Sequence, residues 1–294
     1  MEGRKLSRSL TRREVVALGA LSLSGSVPAA PRLSKTLPTA LTQLEKTNGG
    51  RLGVAVLDTA TSERSGYRER EHFPMCSTFK FLLASAVLQR VDRHDEALDR
   101  AIAIPPQPLL SHSPISEAHA GSTMTIAALC AAILTDSDNT AANALLDTIG
   151  GPAGVTRFCR SIGDAETRLD RVELALNESL AGDLRDTTTP ASMVRDLQVL
   201  LLGTLLSQGS RARLTASMEG CRTGLDRLRA KVPAGWRAAD RTGSNGVHTS
   251  NDIAVLWPPG RPPVIVAAYI TGCPGPESKR LAMLAEIGSL VASL

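Results

Sequence analysis

The sequence predicts an α+β protein: an antiparallel sheet completed by both ends of the chain and flanked by helices, with an all-helical lobe inserted between its halves. Three observations carry that expectation. Strand-like runs gather near residue 51 and again after Trp236, apolar helical runs fill the middle, and an amphipathic stretch closes the chain. The boundaries read as an α/β lobe over about 30–74 and 220–294, with the helical lobe over about 75–219.

The chain has 294 residues, enough for one large domain or two interleaved lobes. Hydrophobic content of 43% and charged content of 21% are those of an ordinary soluble globular protein. Aromatics make up only 3%, so the core must be built from Leu, Ala, Val and Ile. The net charge of +4 comes largely from the first 29 residues, where Arg4, Lys5, Arg8, Arg12 and Arg13 face only Glu2 and Glu14. No basic tract remains elsewhere to recruit a nucleic acid.

Residues 1–29 read as an export signal: a basic start, a short apolar run, and a small-residue cleavage site near Ala29. Arg12-Arg13 before Val15-Val16 is similar to a twin-arginine signal. The run is too short and too rich in Ser and Gly to span a membrane, and no Cys follows it to carry a lipid. The mature protein is therefore expected in the periplasm or medium, without a membrane anchor.

Leu37, Leu41 and Leu44 at helical spacing predict a helix over 37–48, stopped by Asn48-Gly49-Gly50, with Pro38 tolerated in its first turn. Arg51–Thr59 has strand composition, and Ser65–Arg68 is its candidate hairpin partner. Phe79–Leu88 opens the helical region. Thr125–Leu134 is almost wholly apolar, which implies a helix buried on most sides. Asn139–Ile149 follows, closed by Gly150-Gly151-Pro152. Residues 163–190 are polar and weakly periodic, a long loop of the functional or disordered kind. A further helix is expected over Leu197–Leu206, strands over Arg237–Arg241, Ile253–Trp257 and Val264–Ile270, and a helix over Glu277–Leu294.

Five cysteines are an odd number for an oxidising compartment, so at least one is expected free. No C-x-x-C, H-x-H, H-E-x-x-H or G-x-S-x-G occurs, which argues against a metal hydrolase and an α/β-hydrolase elbow. What does occur is Ser77 three residues before Lys80 at the head of an apolar helix, a spacing that puts hydroxyl and amine on one face. Ser137-Asp138-Asn139 lies between two helices, Glu173-Leu174-Ala175-Leu176-Asn177 in the long loop, and Arg241-Thr242-Gly243-Ser244 on a late strand. Each alone is also the pattern of a helix cap, a solvated carboxylate or a strand end. Together, in this order, they form a known signature.

On these motifs the chain resembles a class A serine β-lactamase over essentially all of residues 37–294. The resemblance implies the β-lactamase/D,D-peptidase-like fold and assigns the roles. Ser77 is the nucleophile. The backbone N–H groups of Ser77 and Ser244 form the oxyanion hole. Ser137 relays a proton to the leaving lactam nitrogen, and Asn139 binds the substrate's side-chain amide. Glu173 and Asn177 hold the hydrolytic water. Either Lys80 or Glu173 through a water takes the Ser77 proton. Arg241 and Thr242 belong to the substrate site, and Arg171 with Asp186 would close the loop. No metal or cofactor is implied; the expected partner is a small β-lactam, and the expected state is a monomer.

Departures from the family pattern are specific. Arg241 replaces the usual Lys, as in carbenicillin-hydrolysing members. Ser250 stands where many members place a carboxylate-gripping Arg; Arg227 resembles the alternative source of that guanidinium, or is a surface ion pair. His112 takes the place of the aromatic at the pocket mouth, and Leu174 that of a Pro. Cys76 and Cys130 lack the partners with which the family forms disulfides. The other readings of the same motifs are a D,D-peptidase (penicillin-binding protein), which has no use for Glu173, and an acylated β-lactam sensor.

Overall fold

The computed structural model describes residues 33–294; the leader expected over 1–29 lies outside them. The first half of the chain forms α1 (Leu33–Asn48), β1 (Arg51–Asp58), β2 (Glu63–Tyr67), β3 (Phe73–Pro74), α2 (Phe79–Asp92), β4 (Ala101–Ala103), α3 (Pro114–Glu117), β5 (Thr123–Thr125), α4 (Ile126–Thr135) and α5 (Asn139–Thr148). The second forms α6 (Pro152–Ser161), β6 (Thr187–Thr188), α7 (Pro190–Leu197), α8 (Gln208–Glu219), β7 (Arg237–Ser244), β8 (Ser250–Trp257), β9 (Val264–Thr271) and α9 (Glu277–Ala292).

The main sheet runs β2-β1-β9-β8-β7, and every neighbouring pair is antiparallel. Its central strands read as nearly unbroken apolar runs because both faces are covered. Leu52, Val54, Val56 and Val266 pack with Leu37 and Leu41 of α1 and Leu284 and Ile287 of α9. The alternate residues Ala55, Leu57, Ile265 and Tyr269 pack into a second, larger core with Phe79 and Leu82 of α2 and Met193 and Leu197 of α7. The first and last parts of the chain thus meet in one sheet, as the sequence predicts. Its edge strand β7 lies beside the turn that precedes α2.

One helix differs from expectation. The helix predicted over Leu197–Leu206 begins instead at Pro190 and continues through a π-helical stretch, Gln198–Leu202. Pro190 suits the first helical turn, and Thr189 caps it by accepting from the Ser192 N–H at 3.1 Å. The apolar run hid that polar start. Gly150-Gly151-Pro152 closes α5 as expected, and Pro152 also opens α6.

The long loop is held at its base. Arg171 Nε donates to Asp186 Oδ2 at 2.6 Å, as the family resemblance implies. Asp186 Oδ1 accepts from the backbone N–H groups of Asp170 and Arg171, and the Thr167 and Thr188 hydroxyls pair at 2.6 Å. Beneath lies a buried pair of carboxyls, Asp164 and Asp196, with Cys159 beside them. Burial, together with the neighbouring Asp164 charge, pushes Asp196 well above the usual carboxylate range. Burial also pushes Asp164 up, but hydrogen bonds from Thr167, Glu166 and Asp196 outweigh it and hold that carboxyl below its ordinary value. The pair therefore shares a proton.

This sets a pH dependence. Above 3.8 the folded state keeps the Asp196 proton that the unfolded chain gives up, so stability falls as pH rises through that window. Asp164 acts in the opposite sense, losing stability only as pH drops through its lowered value. Asp196→Asn, whose amide can donate to Asp164 at any pH, is expected to flatten the decline above 3.8 and raise Tm on its upper side. The scale is about 2–4 °C for each kcal/mol recovered. Thermal scans from pH 5 to 9 giving parallel curves for variant and wild type would refute this.

Candidate active site

Ser77 sits in a 3-10 turn, Cys76–Thr78, whose last residue caps α2. It is therefore just outside the α-helix rather than on it. Cys76 is held at φ 43°, an uncommon conformation for a residue with a side chain, costing on the order of 1–3 kcal/mol. The surrounding structure maintains it. Met75 N–H donates to the Asp186 carbonyl at 2.9 Å, and Asn251 Nδ2 donates to the carbonyls of Pro74 and Met75 at 2.9 and 3.0 Å. Loop base and sheet thus clamp the Ser77 turn from two sides.

Lys80, one turn on, is fully buried, and its three N–H bonds are saturated. It donates to Ser137 O at 2.7 Å and Asn139 Oδ1 at 2.5 Å, and lies 3.0 Å from Glu173 Oε1. The direct Ser77–Lys80 pairing expected from the spacing is replaced by a shared acceptor. Ser77 Oγ donates to the same Glu173 Oε1 at 3.4 Å, because the loop inserts that carboxylate between them. Burial pushes the Lys80 ammonium down to about 8. The Glu173 carboxylate opposes this, but does not outweigh the lost hydration.

Glu173 is itself buried and fixed from three directions. Asn177 Nδ2 donates to its Oε2 at 2.6 Å. The Asn143 side chain clamps its backbone, accepting from Glu173 N–H at 3.0 Å and donating to Glu173 O at 2.9 Å. Asn143 was not singled out from sequence; it follows Asn139 by one helical turn, and that i,i+4 spacing was the signal. Asn177 Oδ1 is buried without a protein partner among the described residues.

In the second motif each residue does a different job. Asp138 caps α5, its Oδ1 accepting from Ala141 N–H at 2.8 Å, and its carboxylate also binds Ser116 and the Ile115 N–H. The capping reading is thus right for Asp138. Ser137, at φ 64°, turns its hydroxyl into the cleft, where it accepts from Arg241 Nη2 at 2.5 Å and Lys80 Nζ at 3.3 Å. The Lys80 ammonium thus has four acceptors for three N–H groups, and the Ser137 hydroxyl is the most distant of them. Asn139 Nδ2 donates to Ser111 O at 2.8 Å.

The third motif forms the last four residues of β7, at the strand end that its pattern suggests. Arg241 is fully buried; burial lowers its guanidinium, which nonetheless stays charged. Its Nη1 donates to Thr242 Oγ1 at 3.2 Å, and that hydroxyl pairs with Thr223 at 2.5 Å. Gly243 is not a turn glycine: a methyl there would lie 2.6 Å from Met75 O and 3.2 Å from the Ser77 backbone nitrogen. Its lack of a side chain lets β7 reach the nucleophile. Arg227 is buried rather than a surface ion pair, donating to the carbonyls of Gly243 and Asn251 at 3.0 and 2.9 Å. His112 is exposed at the cleft rim, its ring bonded to the Asp136 carbonyl at 2.9 Å.

These groups surround a cleft of about 550 Å³, lined by Ser77, Ser137, Asn139, Asn177, Arg227 and Ser244 among others. A larger cavity of about 870 Å³ behind the loop tip, near Arg51, His72 and Leu184, contains none of the motif residues. Among the described residues, the cluster of possible metal ligands is Cys159, Asp164 and Asp196, and none of them lines the cleft. All five cysteines are free and buried.

A cleft serine beside a buried ammonium and carboxylate, under a guanidinium, is the arrangement of a serine hydrolase. The family model described as Beta-lactamase enzyme family matches residues 36–293. The chain belongs to that family, and within it to the class A serine β-lactamases. It is 46% identical to beta-lactamase L2 of Stenotrophomonas maltophilia over 260 residues, 88% of this chain and 86% of that one. It is 43% identical to the carbapenem-hydrolyzing beta-lactamase KPC of Klebsiella oxytoca, covering 91% of each. Among solved structures it is similar to an ancestral (GNCA) class A beta-lactamase, at 56% identity and TM-score 0.85 over 87% of this chain and 98% of that one. A beta-lactamase from Xanthomonas campestris matches at 47% identity and TM-score 0.87, covering 90% and 98%.

Proposed function

We propose that this enzyme is exported and, as a monomer without metal or cofactor, hydrolyses the amide bond of penicillins, with cephalosporins as further substrates. The observation that carries the reading is Glu173 Oε1, in contact with both Ser77 Oγ at 3.4 Å and Lys80 Nζ at 3.0 Å. Ser77 Oγ attacks the lactam carbonyl, the C–N bond breaks, and the nitrogen takes a proton from Ser137. Its contacts with Arg241 Nη2 at 2.5 Å and Lys80 Nζ at 3.3 Å, which hold the hydroxyl in the cleft, support that relay. The backbone N–H groups of Ser77 and Ser244 receive the developing oxyanion. Asn139, Arg241, Thr242, Arg227 and His112 surround the substrate, and Arg227 with Ser244 takes its carboxylate. Water then attacks the ester, Glu173 accepts its proton, and Ser77 regains one as it leaves. The unpartnered Asn177 Oδ1 supports a water seat beside Glu173.

Hydrolysis of the chromogenic cephalosporin nitrocefin, unchanged by EDTA, is the expected result; loss of colour change with chelator would defeat the serine route. The first proton acceptor leaves its own signature. Should neutral Lys80 take the Ser77 proton, kcat/KM rises as pH increases through about 8, whereas a Glu173 route assisted by the charged ammonium falls there. Saturation of the Lys80 N–H bonds and the Ser77–Glu173 contact support the second, so the falling limb is expected. A rising limb would reverse that assignment.

A further inference from the structure

Glu277 opens α9 and turns its carboxylate into the cleft. Its Oε1 accepts from Ser244 Oγ at 2.8 Å and lies 3.9 Å from Arg227 Nη2. An acid in the first turn of a helix is favoured by the helix dipole, which explains its presence but not its direction. Pointing to solvent would serve the dipole equally well. Instead it holds the two groups to which the substrate carboxylate is assigned above, and its side chain is 40% exposed, within reach of a bound molecule.

We propose that Glu277 is a specificity-determining residue, favouring β-lactams that carry a cationic substituent on the ring carbon next to the carboxylate-bearing carbon. The proposal rests on the reading that Arg227 and Ser244 receive the substrate carboxylate. A substrate with that carboxylate alone must displace Glu277 or lie against it, with like charges a few ångströms apart. A cation on the adjacent ring carbon comes close to Glu277 and pairs with it. Because the site is half open to water, the effect is moderate and weakens with salt.

The test compares two cephalosporins with the same acyl side chain, one bearing a neutral acetoxymethyl group and the other a pyridiniummethyl group. Glu277→Gln keeps the acceptor for Ser244 and removes the charge. It is expected to raise kcat/KM for the neutral-substituent compound about two- to fivefold through KM, and to lower it for the cationic one by a similar factor. Glu277→Asp keeps the wild-type order, and high salt shrinks the difference. Opposite signs on two substrates cannot come from damaged folding. Changes in one direction for both compounds, or none, overturn the proposal while leaving the hydrolytic reading intact. A wild type that turns over neither compound overturns that reading and this inference with it.

Discussion

Mixed with a penicillin, the Glu173→Ala protein is expected to gain the mass of the whole antibiotic and keep it. Opening the lactam on Ser77 loses no atoms, so the adduct weighs what the substrate weighs; only water attack releases it. Glu173 is the carboxylate held by Lys80, Ser77 and Asn177, and no other acid lines that part of the cleft among the described residues. Removing a positioned base of this kind costs about 10²–10⁴-fold. Acylation slows as well, since the variant leaves the buried Lys80 ammonium without its counter-charge and pushes its proton affinity down further. Glu173→Gln retains the Asn177 contact and separates the loss of charge from the loss of packing. Wild-type turnover with no adduct in the mass spectrum would remove Glu173 from the deacylation step.

Gly243→Ala is expected to lower kcat by about 10²–10³-fold while leaving the fold in place. The added methyl would stand 2.6 Å from Met75 O, a contact no side-chain rotation can relieve. Met75 O is itself tied to Thr78 Oγ1 at 2.9 Å and Asn251 Nδ2 at 3.0 Å, so β7 must yield. Moving that edge strand carries Ser244 away from Ser77 and takes one N–H out of the oxyanion hole. Far-ultraviolet circular dichroism should match wild type, with a kcat defect larger than any change in KM. Full activity in a folded variant would show that the close approach of β7 is not needed for catalysis.

Much of the fold was legible because periodicity survives packing. The apolar runs of β1, β8 and β9 reported burial on both sides directly, whereas α4 keeps one face, around Ala127, Ala128 and Ala131, partly open. The helix starting at Pro190 was misplaced because its Thr189 cap is polar and lies inside a polar loop. At the site, the motifs named the residues proposed to carry chemistry but not those that hold them still. Asn143 clamps a backbone, Gly243 matters for the atom it lacks, and the Asp164–Asp196 pair lies far apart in the chain. Asn143 leaves only its one-turn spacing from Asn139, and the other two leave no local pattern.

By itself the sequence determined which groups are present: a hydroxyl three residues before an amine, a capping Ser-Asp-Asn, a loop carboxylate and a strand guanidinium. Spacing along one helix or loop is local geometry, and local geometry is written in order. Tertiary structure alone decided that Glu173 stands between Ser77 and Lys80, that Arg227 is buried on strand carbonyls, and that Glu277 faces the same cleft. Those contacts join residues as far as 96 positions apart, as in Ser77 and Glu173, and tertiary packing is what brings them within reach.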